Sequence, residues 1–126
     1  MLTALGKGRR VRGAVVNLAA AGVANAQVIF QLSNWAAQLG TKSFFLKRVW
    51  MMNNAAGQQT VMIGTGVGGG AFAAVIPGLV SINNMDVGWP EDDLNEIEVF
   101  ADLTAYPVAL IAAGTIDIQV EVEEIG

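Results

Sequence analysis

The chain contains no cysteine and no histidine. Without cysteine there is no disulfide framework and no thiolate chemistry. Without histidine there is neither the usual general base near neutral pH nor the commonest transition-metal ligand. A catalytic site would have to be assembled from Asp, Glu, Lys, Tyr or Ser, and no constellation of them stands out, so the sequence reads as that of a non-enzyme. Charge is scarce as well, at 14% of residues, and no side chain between Val49 and Met85 carries any. That uncharged stretch is still not a membrane span. Asn53, Asn54, Gln58, Gln59, a glycine cluster and Pro77 interrupt it well short of the roughly 20 continuous apolar residues a spanning helix needs. An export signal is also missing from the reading: the basic residues near the start follow the apolar ones, with no clean apolar run behind them. The expectation is a soluble protein made without export.

What is present is apolar. Of 126 residues, 53% are hydrophobic. The length fits one domain with a single core, and so much apolar surface exceeds what a small monomer buries. Subunit contacts are the expected destination of the excess. The alternative is that many of these residues are Ala, which tolerates exposure.

The net charge of −4 conceals a segregation. Every cation lies in the first part: Lys7, Arg9, Arg10, Arg12, Lys42, Lys47 and Arg48. Every acid lies between Asp86 and Glu124. A basic arm could attract nucleic acid, but the acidic remainder would repel it, so no nucleic-acid partner is expected. Two readings stay open: head-to-tail or docking contacts with a neighbour, or pairing of the two ends within one subunit.

The pattern along the chain is β throughout. Residues 1–10 read as a mobile basic arm, and 11–126 as a single β-sandwich domain. Val11–Leu18 and Gln27–Ser33 read as strands, with Val28, Phe30 and Leu32 on one face of the second. An Ala-rich helix over this region is disfavoured by Gly22 and the β-branched residues. Ser43–Asn53 is the richest strand, with large side chains on both faces, and it is expected to form a hairpin with Gln59–Gly64 around an Asn53–Gly57 turn. Pro77-Gly78 reads as a turn between two further strands. In the closing pair, Ile116, Ile118, Val120 and Val122 alternate with Asp117, Gln119, Glu121 and Glu123, which is the period of a half-buried strand. Pro107 is placed in the link before it, or at an edge.

Two segments invite chemical readings. Thr65–Gly70 is glycine-rich but breaks the dinucleotide pattern at Ala71, so it reads as a flexible connection. Asp92, Asp93, Asn95 and Glu96 offer the hard oxygen ligands that calcium takes, although their spacing is not that of the helix-loop-helix calcium loop. Calcium is the one candidate cofactor, and a solvated acidic loop is the simpler reading. The aromatic residues Trp35, Trp50, Trp89 and Tyr106 could form stacking platforms of a ligand- or carbohydrate-binding module, or serve as core and interface.

Seven to nine short strands without βαβ spacing predict an all-β, antiparallel two-sheet sandwich. Jelly-roll order is the first choice and an immunoglobulin-like order the second. From about Ser43 to Glu124 the succession of the Phe44–Asn53 strand, the Asn54–Gly57 turn, the Thr60–Gly64 strand, Pro77-Gly78, an Asn-rich bend, the acidic loop and two closing strands resembles the small jelly-roll proteins that decorate or cement tailed-phage heads, and related accessory virion proteins. The first 42 residues lie outside that resemblance.

The resemblance implies a structural virion protein, made in the host cytoplasm and located in the virion. It implies a homo-oligomer, as a trimer at a symmetry axis, that contacts the major capsid protein or another virion protein and neither membrane nor nucleic acid. Carried over, Lys7, Arg9, Arg10 and Arg12 would form the docking arm. Phe45, Lys47, Trp50 and Met52, on one face of the rich strand, would form the intersubunit surface.

Overall fold

In the computed structural model of the chain, one strand, Ile116–Glu124, organises the larger of two sheets. The structure describes residues 10–18, 20–32, 43–54, 57–67, 70–81, 86–89, 97–109 and 115–124. Ile116, Ile118, Val120 and Val122 are fully buried, while Asp117, Gln119 and Glu121 line the partly exposed outer side. Burying each of these four side chains is worth about 1.5–3 kcal/mol, an upper estimate because unfolded chains already hide some surface.

The strands in chain order are β1 (Arg10–Arg12), β2 (Val16–Leu18), β3 (Gln27–Phe30), β4 (Phe44–Asn53), β5 (Gln59–Thr65), β6 (Ala73–Ser81), β7 (Asp86–Trp89), β8 (Ile97–Val99), β9 (Leu103–Pro107) and β10 (Ile116–Glu124). The larger sheet runs β1-β10-β4-β7. Among the described residues each of its edges is made of two strands. β1 and β2 pair with successive stretches of β10, and β7 and β8 pair with successive stretches of β4. The smaller sheet runs β3-β9-β5-β6. With each two-strand edge counted as one strand, the sheets read 1-8-3-6 and 2-7-4-5. This is the double Greek key of a jelly roll, and it differs from the immunoglobulin order. The all-β sandwich in jelly-roll order is therefore the fold.

The core lies between the sheets. Leu18, Phe44, Leu46, Val49, Met51 and the four β10 residues come from one side; Ile29, Phe30, Val61, Ile63, Leu103 and Ala105 come from the other. Phe30 and Phe44 meet edge to face at 5.4 Å and join the two layers.

Several local expectations are corrected. β4 and β5 do not form a hairpin: β10 occupies one side of β4 and β7 and β8 the other, so β5 crosses to the second sheet. At the ends of the expected turn, Asn53 Nδ2 donates to the Gly57 carbonyl at 2.8 Å, while Ala55 and Ala56 lie outside the described residues. For the same topological reason the closing strands are not paired; β9 lies in the smaller sheet and β10 in the larger. Pro77-Gly78 is not a turn but the two residues of a bulge that together oppose the single residue Met62. Val61 opposes Leu79 and Ile63 opposes Ile76, on an edge strand where a missing N–H is tolerated. Pro107 ends β9, a central strand, rather than lying in the link. Val28 faces outward and Ile29 is buried, because the β3 register shifts between Val28 and Phe30. Val11–Leu18 is two short strands, interrupted at Gly13, whose N–H donates to the Val120 carbonyl at 2.9 Å.

Candidate functional site

The outer face of the larger sheet collects the candidate residues. Its geometry begins with a bulge. Leu46 and Val49 are three residues apart, so strict alternation would send one of them outward. Both are fully buried. The register shift that allows this places Glu121 opposite Arg48 and Val122 opposite Leu46, leaving Lys47 as the extra residue. Phe45 and Trp50 are consequently half-buried on the outer side, and Met52 is 43% exposed there.

Lys47 departs from its expected place on an intersubunit surface. It is only 2% exposed. Its Nζ lies 3.4 Å from Glu123 Oε1 and 5.4 Å from the centre of the Phe45 ring. A cation held at a bulge beneath its neighbours needs such a partner to offset the lost water.

Around this pair the charged residues form a lattice. Glu121 faces Arg10 at 3.6 Å, Arg12 at 3.6 Å and Arg48 at 3.8 Å. Glu123 faces Arg10 at 3.8 Å as well as Lys47. The carboxylate side chains are 14% and 10% exposed, whereas the three arginines keep 42–57% of theirs in solvent. Arg12 also lies over the Trp50 ring, 4.6 Å from its centre, a cation–π contact. Further along the face, Asn17 donates to Asp117 at 2.8 Å, Asn54 donates to its other oxygen at 3.1 Å, and Gln119 donates to the Gly13 carbonyl at 2.8 Å.

Of the expected docking arm, Arg10 and Arg12 are therefore strand residues paired with β10 of their own subunit, while Lys7 and Arg9 lie outside the described residues. For Arg10, Arg12, Lys47 and Arg48 the charge segregation resolves into contacts between the two ends of one chain. Asp92, Asp93, Asn95 and Glu96 also lie outside the described residues. Among the described residues no group of three or more acidic side chains is placed to hold a metal ion, and no helix is long and apolar enough to cross a membrane, which says nothing of a β-barrel.

The aromatic residues do not make one platform. Trp50 is on the outer face of the larger sheet, and Tyr106 is on the outer face of the smaller one, edge to face with Phe72 at 5.0 Å. Trp89 holds the register position opposite the core residue Val49, and Trp35 lies outside the described residues. At the start of the glycine-rich segment the Gly66 carbonyl accepts from Thr104 Oγ1 at 2.7 Å, and Gly66 has φ 82°; Gly68 and Gly69 lie outside the described residues.

Two surface residues went unseen in the sequence. Phe100 is 71% exposed just after β8; the signal was two consecutive apolar residues, Val99 and Phe100, at the end of an alternating strand. Glu98 is exposed at the position opposite Phe45, and Ile97-Glu98-Val99 did carry that alternation.

No protein-family model and no curated protein matches the chain. Among solved structures it is similar to a protein of the disulfide-linked pili of Bacillus endospore appendages, at 16% identity, with 100% of this chain and 97% of that one covered and a TM-score of 0.44. It is also similar to the coat protein of Tobacco streak virus, at 13% identity, 93% and 87% coverage and a TM-score of 0.42. A third likeness is to the virus-like particle of the extra small virus of the prawn Macrobrachium rosenbergii, at 12% identity, 91% and 79% coverage and a TM-score of 0.35. At these scores the likenesses add nothing to the fold, which rests on the strand order of the chain itself.

Proposed function

We propose that the protein is a non-catalytic structural subunit of a virion, which self-associates and decorates or cements a phage capsid. The observation that carries this reading is the outer face of the larger sheet. Phe45, Trp50 and Met52 there offer apolar and aromatic surface within a charged frame, on a rigid two-sheet body. Apolar anchors inside a polar rim are the anatomy of a protein interface. Copies joined through this face form the homo-oligomer, a trimer in the arrangement the resemblance implies. Residues 1–9, with Lys7 and Arg9, extend the contact to the major capsid protein or another virion protein. Weak single contacts suffice for such a role, because many linked copies raise the total by effective concentration.

The fold alone does not carry the function. The test is binding of the purified protein to capsid shells stripped of accessory proteins, read by co-sedimentation and by release of packaged contents on heating. Saturable binding with delayed release is expected. Absence of binding, with the protein folded, would overturn the capsid role. A Trp50→Ser variant that binds and associates as the wild type does would overturn the assignment of the face.

A further inference from the structure

On the outer face of the larger sheet, the half-buried Trp50 lies in register between Gln119 of β10 and Gly88 of β7. Residues directly opposite one another on adjacent strands share a face, and their side chains ordinarily support each other. Gly88 has no side chain to offer. Gln119 sends its amide toward β1, with Nε2 donating to the carbonyl of Gly13, the residue after that strand, at 2.8 Å.

The group that sits over the indole comes from two strands away. Arg12 opposes Glu121, and β10 separates β1 from β4. Neighbouring strands lie about 4.8 Å apart, so the side chain bridges about 10 Å between β1 and β4. It crosses the width of β10 and brings its guanidinium carbon to 4.6 Å from the centre of the Trp50 ring. Its Nη2 lies 3.6 Å from Glu121 Oε2, and Glu121 is itself held by Arg10 and Arg48. The guanidinium is thus fixed between an acid and an aromatic ring, while 57% of the Arg12 side chain remains in solvent.

Such a clamp matters for binding. An anchor side chain contributes most when it is already ordered before the partner arrives, because its rotamer freedom is then lost on folding and not on association. Tryptophan and arginine are the residue types that most often dominate an interface. A partner that covers the pair also strips water from the cation, and a desolvated cation holds an aromatic ring more strongly than an exposed one.

We propose that Arg12 is the positioning residue of the self-association face, holding the Trp50 indole in the orientation that a second copy of this chain meets. The inference rests on the reading of that face as a self-association surface. It adds that β1, at the far end of the chain from β10 and two strands from β4, sets part of the affinity. A planar guanidinium lies flat on a ring where an ammonium does not, so lysine replaces arginine only in part here.

The test is a double-mutant cycle of Arg12→Gln and Trp50→Leu in the full chain, read by sedimentation at about 1 M salt, where the screening length is about 3 Å. Arg12→Gln leaves Arg10 and Arg48 on Glu121. It is expected to keep the unfolding midpoint of the wild type and to weaken association about tenfold. In the Trp50→Leu background the same change is expected to have no further effect. Arg12→Lys is expected to recover part of the lost affinity. Tryptophan emission, at a dilution where the wild type is monomeric, gives a second reading. Arg12→Gln is expected to shift it, and Trp50→Leu is expected to emit alike with and without that change. An unshifted emission, wild-type association of Arg12→Gln, or a tenfold loss that persists in the Trp50→Leu background would overturn the positioning role. A wild type that stays monomeric at every concentration would overturn the self-association face instead, and the emission would still judge whether Arg12 positions the ring.

Discussion

The two sheets finish their outer faces differently. On the smaller sheet the chain supplies its own cover. Phe72 packs on Tyr106, Gly66 accepts from Thr104, and Gly64 leaves room for both the Ala73 carbonyl and the Phe72 ring, which a Cβ would approach to 2.7 Å. On the larger sheet the cover is an ion lattice over β10 and β4, with Phe45, Trp50 and Met52 between the charges. Where Phe72 lies on Tyr106 and Gly66 on Thr104, little of that face is left for a partner, while Val28 on its edge strand stays exposed. A face finished with exposed arginine ends, a tryptophan and an open methionine has contacts to give.

The comparison can be broken most severely from inside. Val120→Asp puts a carboxylate into the centre of the core and is expected to cost more than about 4 kcal/mol. Gln119→Asp, one residue away on the outer side, loses one hydrogen bond and should cost about 1 kcal/mol. Equal shifts in the denaturant midpoint would mean that β10 does not separate core from surface. Next in size is Lys47→Met, which leaves Glu123 covered beside Arg10 alone. A loss of about 3 kcal/mol is expected by equilibrium unfolding, and a neutral result would place Lys47 in solvent. On the other sheet, Gly64→Ala forces Phe72 and the loop backbone aside. A loss of about 1–3 kcal/mol is expected, accompanied by a change in Tyr106 fluorescence. The smallest effect on stability is expected for Met52→Ser, within about 0.5 kcal/mol, because the side chain is already half in water. Its association at high salt should weaken nonetheless, and the pair of readings distinguishes a contact surface from an inert one.

Much of the sandwich was legible where one face is wet and the other dry. The alternation in β10 names its four core residues because each outward neighbour is polar. The richness of Phe44–Asn53 likewise marks a strand with two occupied faces. What the sequence conceals is which sheet a strand joins. β4 and β5 flank a good turn and look like a hairpin, yet β10, almost 60 residues further on, takes the place that β5 would have needed. Bulges are equally silent. Nothing local says that Lys47 is the extra residue, although the spacing of Leu46 and Val49 becomes informative once both are known to be buried. Pro77-Gly78 carries the chemistry of a turn, and only the register with Val61 and Ile63 shows an edge-strand bulge. At the candidate face, the expected surface of Phe45, Lys47, Trp50 and Met52 came from the resemblance, since large side chains on both faces of the strand do not say which point outward; pairing across the whole length of the chain decided that, and decided that Arg10 and Arg12 would sit on Glu121 and Glu123.

The most direct measurement is the native mass of the purified protein at about 1 M salt, where ionic contacts are screened to about 3 Å. Association through the Phe45, Trp50 and Met52 face is apolar and should survive, giving an oligomer, with three copies expected. The mass of a single chain under that condition, at every protein concentration, would contradict the assignment of this face to self-assembly.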